Sequence, residues 1–203
     1  MKIKLTKGEL KRHRDALKQF QRYLPTLQLK KQQLQIEILH QMTILEKKKH
    51  QQQAKKESAL AWTALLAEPI DISPWIKPQE VKIVEKSIAG VDIPVFEQTD
   101  FAKTQYDLFT LPLWVDEAIE SLRVLVALGE EIRILQKGIE TLRYELRITT
   151  QRVNLFEKIK IPESQEAIRR IKIYLGDQTA NAVGRSKIAK RKIEAFELQG
   201  AAL

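Results

Sequence analysis

The feature that most constrains this chain is a seven-residue repeat of apolar residues in its second half. One position of the repeat holds Ala118, Leu125, Ile132, Ile139, Leu146 and Val153, and the companion position holds Ser121, Leu128, Leu135, Leu142, Thr149 and Phe156. Ten of these twelve residues are apolar. Because a heptad repeat places its apolar residues along one side of a helix, that helix needs a partner to cover them. The repeat therefore predicts a long helix packed against a second one.

A weaker repeat in the first half predicts the partner helix. Its main position holds Leu10, Leu17, Leu24, Ile38, Leu45, Ala59 and Leu66, with Lys31 and Gln52 as interruptions. The repeat fades through the run KKKHQQQAKK at 47–56, a composition typical of a solvated helix face. Pro25 lies inside the pattern. Because proline lacks the N–H of a helical hydrogen bond, we expect it to kink the helix or to mark its start.

The helical period is broken between the two repeats, where five of the seven prolines lie. Within this segment two short runs of β-branched residues flank Ala89-Gly90, which is a hairpin signal. The runs hold Val81, Ile83 and Ile88 on one side, and Val91, Ile93 and Val95 on the other. We expect a hairpin at about 80–97, and we expect Trp62, Trp75 and Trp114 to pack where the helices meet this segment.

The predicted fold is all-α, a long antiparallel two-helix coiled coil formed by the N- and C-terminal helices, with a short β-hairpin in the central connector. Three regions follow: a first coiled-coil helix at 1–66, the connector at 67–113, and a second coiled-coil helix at 114–203. We expect the second helix to be kinked near Pro162. From the residue before that proline onward, a weaker seam holds Ile161, Ile168, Ile171, Leu175, Ala182, Ala189 and Phe196.

Charge and composition narrow the class of protein. The chain has 203 residues, a net charge of +9 and no cysteine, so disulfides and thiolate zinc sites are excluded. Residues 1–60 contain 15 Lys and Arg against 5 Asp and Glu, which is the whole surplus. An acidic partner is therefore expected there. Neither a secretory signal nor an apolar run long enough to cross a membrane is present, and we expect a soluble, cytoplasmic protein.

The sequence contains no motif that predicts catalysis. There is no phosphate-binding glycine loop of the G-x-x-x-x-G-K-[ST] type and no H-E-x-x-H. The three histidines, at 13, 40 and 50, lack the spacing of metal ligands. We expect no catalytic, cofactor-binding or metal site, and no enzymatic activity of the chain by itself.

Three segments, in order along the chain, resemble the D subunit of V/A-type rotary ATPases. The string TTQRVNLFE at 149–157 is similar to that family's T-x-R-R-V-N-A-L-E, and a proline, Pro162, follows it as in the family. The string SIAGVDIPVF at 87–96 is similar to N-I-M-G-V-x-V-P, with Gly90, Val91 and Pro94 in register. LTKGEL at 5–10 and KKQQL at 30–34 resemble P-T-R-x-x-L and K-R-D-x-L. The departures at Leu5, Lys7, Gln32, Gln33 and Phe156 indicate a divergent branch of the family.

The resemblance implies a central rotor shaft. Such a shaft couples ATP hydrolysis or synthesis in a catalytic hexamer of A and B subunits to proton or sodium translocation through a membrane ring. It implies further partners, a small F subunit and a funnel-like subunit above the ring. It also implies a position peripheral to the membrane, within the soluble sector of the ATPase.

Two groups of residues are expected to contact partners. Basic residues near both termini, together with the exposed part of the RVN segment, are expected to meet the hexamer: Lys7, Arg12, Arg14, Arg152, Asn154, Arg185, Lys187 and Lys190. The hairpin residues Ile88, Gly90, Val91 and Pro94 either cap the end of the coil or, by resemblance, regulate ATPase activity. Val153 and Phe156 fall on seam positions, so packing explains them as well as partner binding does.

Two other classes of function remain open on the residues alone. The first is a basic coiled-coil scaffold that binds nucleic acid through residues 1–60, although aromatic residues there are limited to Phe20 and Tyr23. The second is a membrane-curving helical dimer with a basic face, which the predicted hairpin fits poorly.

Overall fold

The computed structural model describes residues 4–68, 70–102 and 111–200, and the side chains of residues 65, 67 and 196–200 lie outside this description. Helix α1 spans Lys7–Leu60, a 3₁₀ turn spans Thr63–Ala67, and a short helix α2 spans Ser73–Ile76. Strands β1 (Pro78–Ile88) and β2 (Val91–Phe101) follow. Helix α3 covers Trp114–Leu155, a π-helical turn covers Phe156–Lys160, and helix α4 covers Ile161–Gly200. The predicted fold class, two long helical regions around a central hairpin, is confirmed.

Pro25 does not mark the start of a helix, because α1 begins at Lys7 and continues through it. Proline removes one backbone donor and so leaves the carbonyl of Gln21 without its helical partner. Gln21 is exposed, so water can bind that carbonyl. In the same turn the Thr26 hydroxyl donates to the Tyr23 carbonyl oxygen at 2.7 Å. The turn therefore tolerates the proline within a continuous helix.

The chain divides into two compact units, residues 1–28 with 151–203 and residues 29–150. In the second unit α1 and α3 run antiparallel. Leu34 of α1 packs in one cluster with Leu142 of α3, whereas Lys48 forms an ion pair with Glu131 at 2.9 Å. A later residue of α1 therefore contacts an earlier residue of α3, as it must when two helices are antiparallel. Leu142 belongs to the heptad predicted for α3, whereas Leu34 and Lys48 lie three residues after the main heptad positions of α1 at Lys31 and Leu45.

The hairpin lies along these helices and does not simply cap their end. Val91 and Ile93 of β2 are buried in the cluster that contains Leu34, Ile38 and Leu142. Ile38 precedes the end of α1 by about six helical turns. A two-stranded hairpin is only marginally stable by itself, and packing the apolar face of β2 on two helices stabilises it. The expectation of a terminal cap was therefore wrong in position, because long-range burial decides where the hairpin lies.

The turn of the hairpin places two residues at positive φ. Ala89 has φ of 52° and Gly90 has φ of 72°, and they join strands paired from Ile88 with Val91 to Pro78 with Phe101. Two consecutive positive values are the requirement of the tight turns that match the twist of antiparallel strands. The predicted hairpin is confirmed, and each strand extends a few residues beyond the predicted 80–97.

The base of the connector is fixed by one arginine. The Arg123 guanidinium of α3 donates to the carbonyl oxygens of Trp75 and Ala102, both at 2.9 Å. Its central carbon also lies 5.3 Å from the centre of the Phe101 ring. Beside it a small apolar cluster contains Ile72, Val115 and Ile119, with Trp75 and Trp114 packed against them. These contacts agree with the packing role predicted for the two tryptophans.

In the first unit the start of α1 packs against α4 and the residues before it. The rings of Phe20 and Phe156 lie 5.1 Å apart, and Val153, Ala167 and Ile171 are buried. The interruption predicted near Pro162 takes the form of the π-helical turn, in which the Ile161 N–H donates to the Phe156 carbonyl oxygen. The Ser164 hydroxyl donates to the Lys160 carbonyl oxygen at 2.8 Å, which satisfies a further backbone acceptor beside the proline.

The seam of α4 is buried over only part of its predicted length. Ile171 is fully buried and Leu175 is half-buried, but Ala182 and Ala189 are exposed. Since α1 begins at Lys7 opposite the early part of α4, the described chain offers no helix to cover the later part. The prediction of a seam reaching Ala189 is therefore wrong for this chain alone, and Phe196 lies among the side chains outside the description.

Candidate partner-binding surfaces

The basic residues predicted to meet a hexamer are exposed on two helices of the first unit. Lys7, Arg12 and Arg14 lie on α1, and Arg185, Lys187 and Lys190 lie on α4. Two of them form ion pairs within their own helix, Arg12 with Glu9 at 3.5 Å and Lys190 with Glu194 at 3.7 Å.

The two basic groups are not side by side. Arg12 lines a groove with Glu166 and Arg170 of α4. Arg185 follows Arg170 by about 22 Å along the helix axis, at 1.5 Å per residue. The α4 group therefore lies on the part of the helix that no other described element covers, while the α1 group lies beside the covered part.

The uncovered part of α4 carries apolar side chains as well as cations. Val183, Ile188 and Ile193 are each more than half exposed in the region that begins after Leu175. An exposed helix face of mixed apolar and basic character is suited to binding another chain, because it offers buried area together with charge steering.

The RVN segment divides as its seam positions predict. Val153 is buried and Phe156 packs on Phe20, so packing accounts for both. Arg152 and Asn154, which are not seam positions, are exposed. They remain available to a partner.

The four hairpin residues have different surroundings. Ile88 and Val91 pack in the cluster with the helices, and Gly90 is exposed at the turn. Pro94 is half-buried, and a Cβ atom at Gly138 of α3 would lie 3.6 Å from its carbonyl oxygen. β2 therefore approaches α3 at Gly138 to a distance at which a Cβ atom would be in ordinary van der Waals contact.

An apolar strip that the sequence patterns did not predict lies on the outer side of α1. Leu29, Ile36 and Leu39 are 56%, 68% and 65% exposed. At 100° per residue they fall within an arc of about 80°. A groove of about 560 Å³ adjoins them and is bordered by Gln32, Gln35, Ile36, Ile38, Leu39 and Leu146.

A signal for this strip was present in the composition of α1. Residues 32–45, QQLQIEILHQMTIL, contain one charged residue, Glu37, in a chain that is 30% charged. Loss of charge around exposed apolar residues is typical of the centre of a protein interface. The heptad pattern does not indicate the strip, because Leu29, Ile36 and Leu39 lie off the seam positions.

The carboxylate of Glu166 is the most perturbed acid described. Hydrogen bonds from Arg169 and Arg170, at 2.9–3.0 Å, lower its pKa from 4.5 to about 2. Both arginines are largely exposed, so the cause is local charge pairing on α4 and not burial.

Within residues 4–68, 70–102 and 111–200, no group of three or more His, Cys, Asp or Glu side chains is placed to hold a metal ion. Among the helices of that same part of the chain, none is long and apolar enough to cross a membrane. The described surfaces are those of a long-helix protein suited to contacting other chains.

Known proteins similar to this chain are subunits of a larger complex, and they identify the family. The family model for the D subunit of ATP synthase matches residues 9–191. The D subunit of a V-type ATP synthase from Borreliella burgdorferi is 47% identical over 192 residues, covering 95% of each chain. Proteins of the same name from Chlamydia caviae and Chlamydia pneumoniae are 32% and 30% identical, covering 95% and 98% of this chain and 94% and 97% of their own length. The chain therefore belongs to the family of ATP synthase D subunits, and the resemblance found in its motifs is confirmed.

Proposed function

We propose that this chain is the central rotor shaft of a V/A-type ATPase. It transmits rotation between a catalytic hexamer of A and B subunits and a membrane ring that moves protons or sodium ions. The observation that carries the proposal is that α4 continues beyond Leu175 with its side chains exposed on all sides. The earlier part of the same unit is an antiparallel helix pair with a buried interface. An exposed helix with apolar side chains is stabilised when other subunits surround it, and we call such a surrounding ring of subunits a sleeve. Membership of the D-subunit family supports a hexamer as that sleeve.

The contacts with the hexamer follow from the exposed cations. We assign them to Lys7, Arg12, Arg14, Arg152, Asn154, Arg185, Lys187 and Lys190. Exposed ion pairs contribute little each and exchange readily, which suits a surface that must slide past three equivalent partners. The hairpin, through Gly90 and Pro94, regulates ATP turnover by contacting a neighbouring subunit, while Ile88 and Val91 hold it against the helices.

Two further partners are assigned to the second unit. The apolar strip of Leu29, Ile36 and Leu39 is suited to the small F subunit, because it is uncharged and bordered by glutamine. The connector, which Arg123 fixes to α3, faces the funnel-like subunit above the membrane ring.

The test is assembly with the candidate subunits. We would co-express the chain with A, B and F and determine its copy number by native mass analysis. One copy per hexamer, with a rise in ATP turnover, is the expected result. Failure to associate, combined with salt-sensitive binding of RNA or DNA by the chain alone, would contradict the proposal and favour a nucleic-acid scaffold.

A charge-reversal variant tests the assigned contacts. Changing Arg12, Arg14 and Lys187 to Glu should weaken association with the hexamer and lower ATP turnover. The matched control changes Arg133, Lys137 and Arg147 to Glu, which alters the net charge equally at exposed positions of α3 in the second unit. If both variants assemble and couple like the original chain, the assignment of the basic residues to the hexamer is wrong.

A further inference from the structure

A cluster of lysines on α1 is left without partners in the described part of the chain. The run at 47–56 contains five lysines and no acid. Lys48 pairs with Glu131 of α3 at 2.9 Å. The other four are exposed and form no ion pair with any described residue: Lys47, Lys49, Lys55 and Lys56. We call these four the lysine cluster.

The lysine cluster differs from the paired charges around Glu166, although a second run of cations without an acid lies on α4 at 185–192. On α4 Glu166 pairs with Arg169 and Arg170, and Lys160 of the preceding π-helical turn pairs with Glu163. A helix surface that only contacts water can carry charges of both signs, and mixed signs remove repulsion between neighbouring side chains. One-signed charge indicates a surface that acts on an oppositely charged partner.

The four lysines form two rows along the helix. At 100° per residue, Lys49 and Lys56 fall within about 20° of each other, and Lys47 and Lys55 within about 80°. Between the rows lie Lys48, which meets Glu131, and Gln52, whose side-chain nitrogen is near Gly129. Lys49, Lys55 and Lys56 therefore border the side of α1 that α3 covers, whereas Lys47 lies about 100° from Lys48 and further round the helix. All four side chains are exposed.

We propose that the lysine cluster is the docking site for an acidic polypeptide surface on another subunit of the rotary assembly. This inference rests on the proposed function, since it takes the partner from the same assembly. The chemistry of the cluster selects carboxylates. All its cations are lysine, whose hydrated amine makes weak and exchangeable pairs, and arginine, which grips phosphate through two parallel hydrogen bonds, is absent.

Nucleic acid and lipid fit the same surface less well. No Phe, Tyr or Trp occurs between Tyr23 and Trp62, so the cluster lacks the large aromatic rings on which bases usually stack. The run at 47–56 contains a single apolar residue, Ala54, so it offers no face that could enter a bilayer.

The first experiment uses the full chain and a fluorescent poly-glutamate peptide as the acidic probe. Changing the four lysines of the cluster to Gln should weaken probe binding about tenfold at low salt, since each exposed pair contributes modestly. The matched control changes Lys18, Lys86, Lys137 and Lys172 to Gln. These lysines are also exposed and unpaired within the described residues, and we expect less than about a twofold change.

Equal losses in the two variants would overturn the inference, because they would reflect net charge alone. It would be overturned equally if phosphatidylserine vesicles or duplex DNA bound through the cluster more tightly than poly-glutamate. Unchanged helix content by circular dichroism confirms that the variants are folded.

The second experiment locates the partner in the assembled complex. A carbodiimide joins a lysine amine directly to a carboxylate, and we expect the cluster to be linked to Asp or Glu of another subunit. If the chain assembles at one copy per hexamer and no such links form, the inference fails while the proposed function stands. If the chain does not assemble at all, the proposed function fails first.

Discussion

At the scale of single residues, two glycines have opposite effects on stability: Gly90 favours the hairpin turn, whereas Gly176 weakens a helix. Gly90 has φ of 72° at the hairpin turn, a conformation that costs a residue with a side chain about 1 kcal/mol or more. Gly176 lies inside α4, where glycine costs about 0.5–1 kcal/mol relative to alanine. A Cβ atom at either position would meet nothing within 4 Å. Backbone conformation alone therefore decides the effect of adding one.

Gly90→Ala and Gly176→Ala form a matched pair with effects of opposite sign. Gly90→Ala should lower the free energy of unfolding by about 1 kcal/mol, because alanine resists positive φ. Gly176→Ala should raise local helix stability by about 0.5–1 kcal/mol, because alanine is the better helix former. Urea unfolding followed by circular dichroism, with hydrogen exchange of α4, measures both. No decrease with Gly90→Ala would show that the turn does not require its positive φ, and a decrease with Gly176→Ala would contradict the prediction for α4.

At the scale of elements, the sequence indicated the helices and the hairpin but not how they pack. Heptads and the Ala89-Gly90 turn are local patterns, so α3 and the two strands were predictable. The packing of Ile93 against Leu142 joins residues far apart in sequence, and no local pattern specifies it. The end of the buried part of α4 was unpredictable for a related reason. A heptad repeat indicates which side of a helix is apolar and packs on a partner. It does not indicate at which residue the partner helix ends.

The packing of β2 predicts unequal effects of one substitution in the two strands. Ile93 of β2 is 2% exposed and Ile83 of β1 is 51% exposed. Ile93→Ala should lower the free energy of unfolding by about 3 kcal/mol, because it leaves a cavity between the hairpin and the helices. Ile83→Ala, the matched control, should change it by about 0.5 kcal/mol or less. Urea unfolding of both variants checks this, and equal losses would mean that the hairpin does not rest on the helices through β2.

The charge pairing on α4 predicts a pH dependence at the acidic end. Hydrogen bonds from Arg169 and Arg170 lower the pKa of Glu166 to about 2 from 4.5. A lowered pKa in the folded state means that the stabilisation is fully present above about pH 4.5 and is lost as the pH falls to about 2. Glu166→Gln should therefore flatten the fall of Tm between pH 4.5 and pH 2.

The measurement for Glu166 is a series of thermal unfolding curves between pH 6 and pH 2. Glu140→Gln on α3 is the control, since Glu140 is exposed and forms no ion pair with any described residue. It should retain the slope of the original chain. If both variants have the same slope as the original chain, the arginine pair does not stabilise α4.

At the scale of the whole molecule, what the sequence could not indicate is as informative as what it could. The predicted contacts with a hexamer were chosen for charge, whereas the apolar strip of Leu29, Ile36 and Leu39 was hidden by its position off the heptad. Exposed apolar residues and unpaired cations on a chain of the D-subunit family are surfaces that other subunits complete. The stability of this protein is therefore expected to be unevenly distributed until those subunits bind.

The uneven distribution can be measured on α4. Isolated helices are marginal without a packed face, and residues 177–195 have no described element to pack on. In the chain alone their amide hydrogens should exchange at least about tenfold faster than those of 118–146 in α3, which are held by the buried seam. On assembly with the A and B subunits, exchange at 177–195 should slow by about tenfold or more, because the sleeve supplies the missing contacts. Residues 118–146 of α3 serve as the internal control on assembly, since their protection depends on contacts within the second unit. If α4 is already protected in the chain alone, or gains no protection on assembly, its exposed length is not the element that the hexamer encloses.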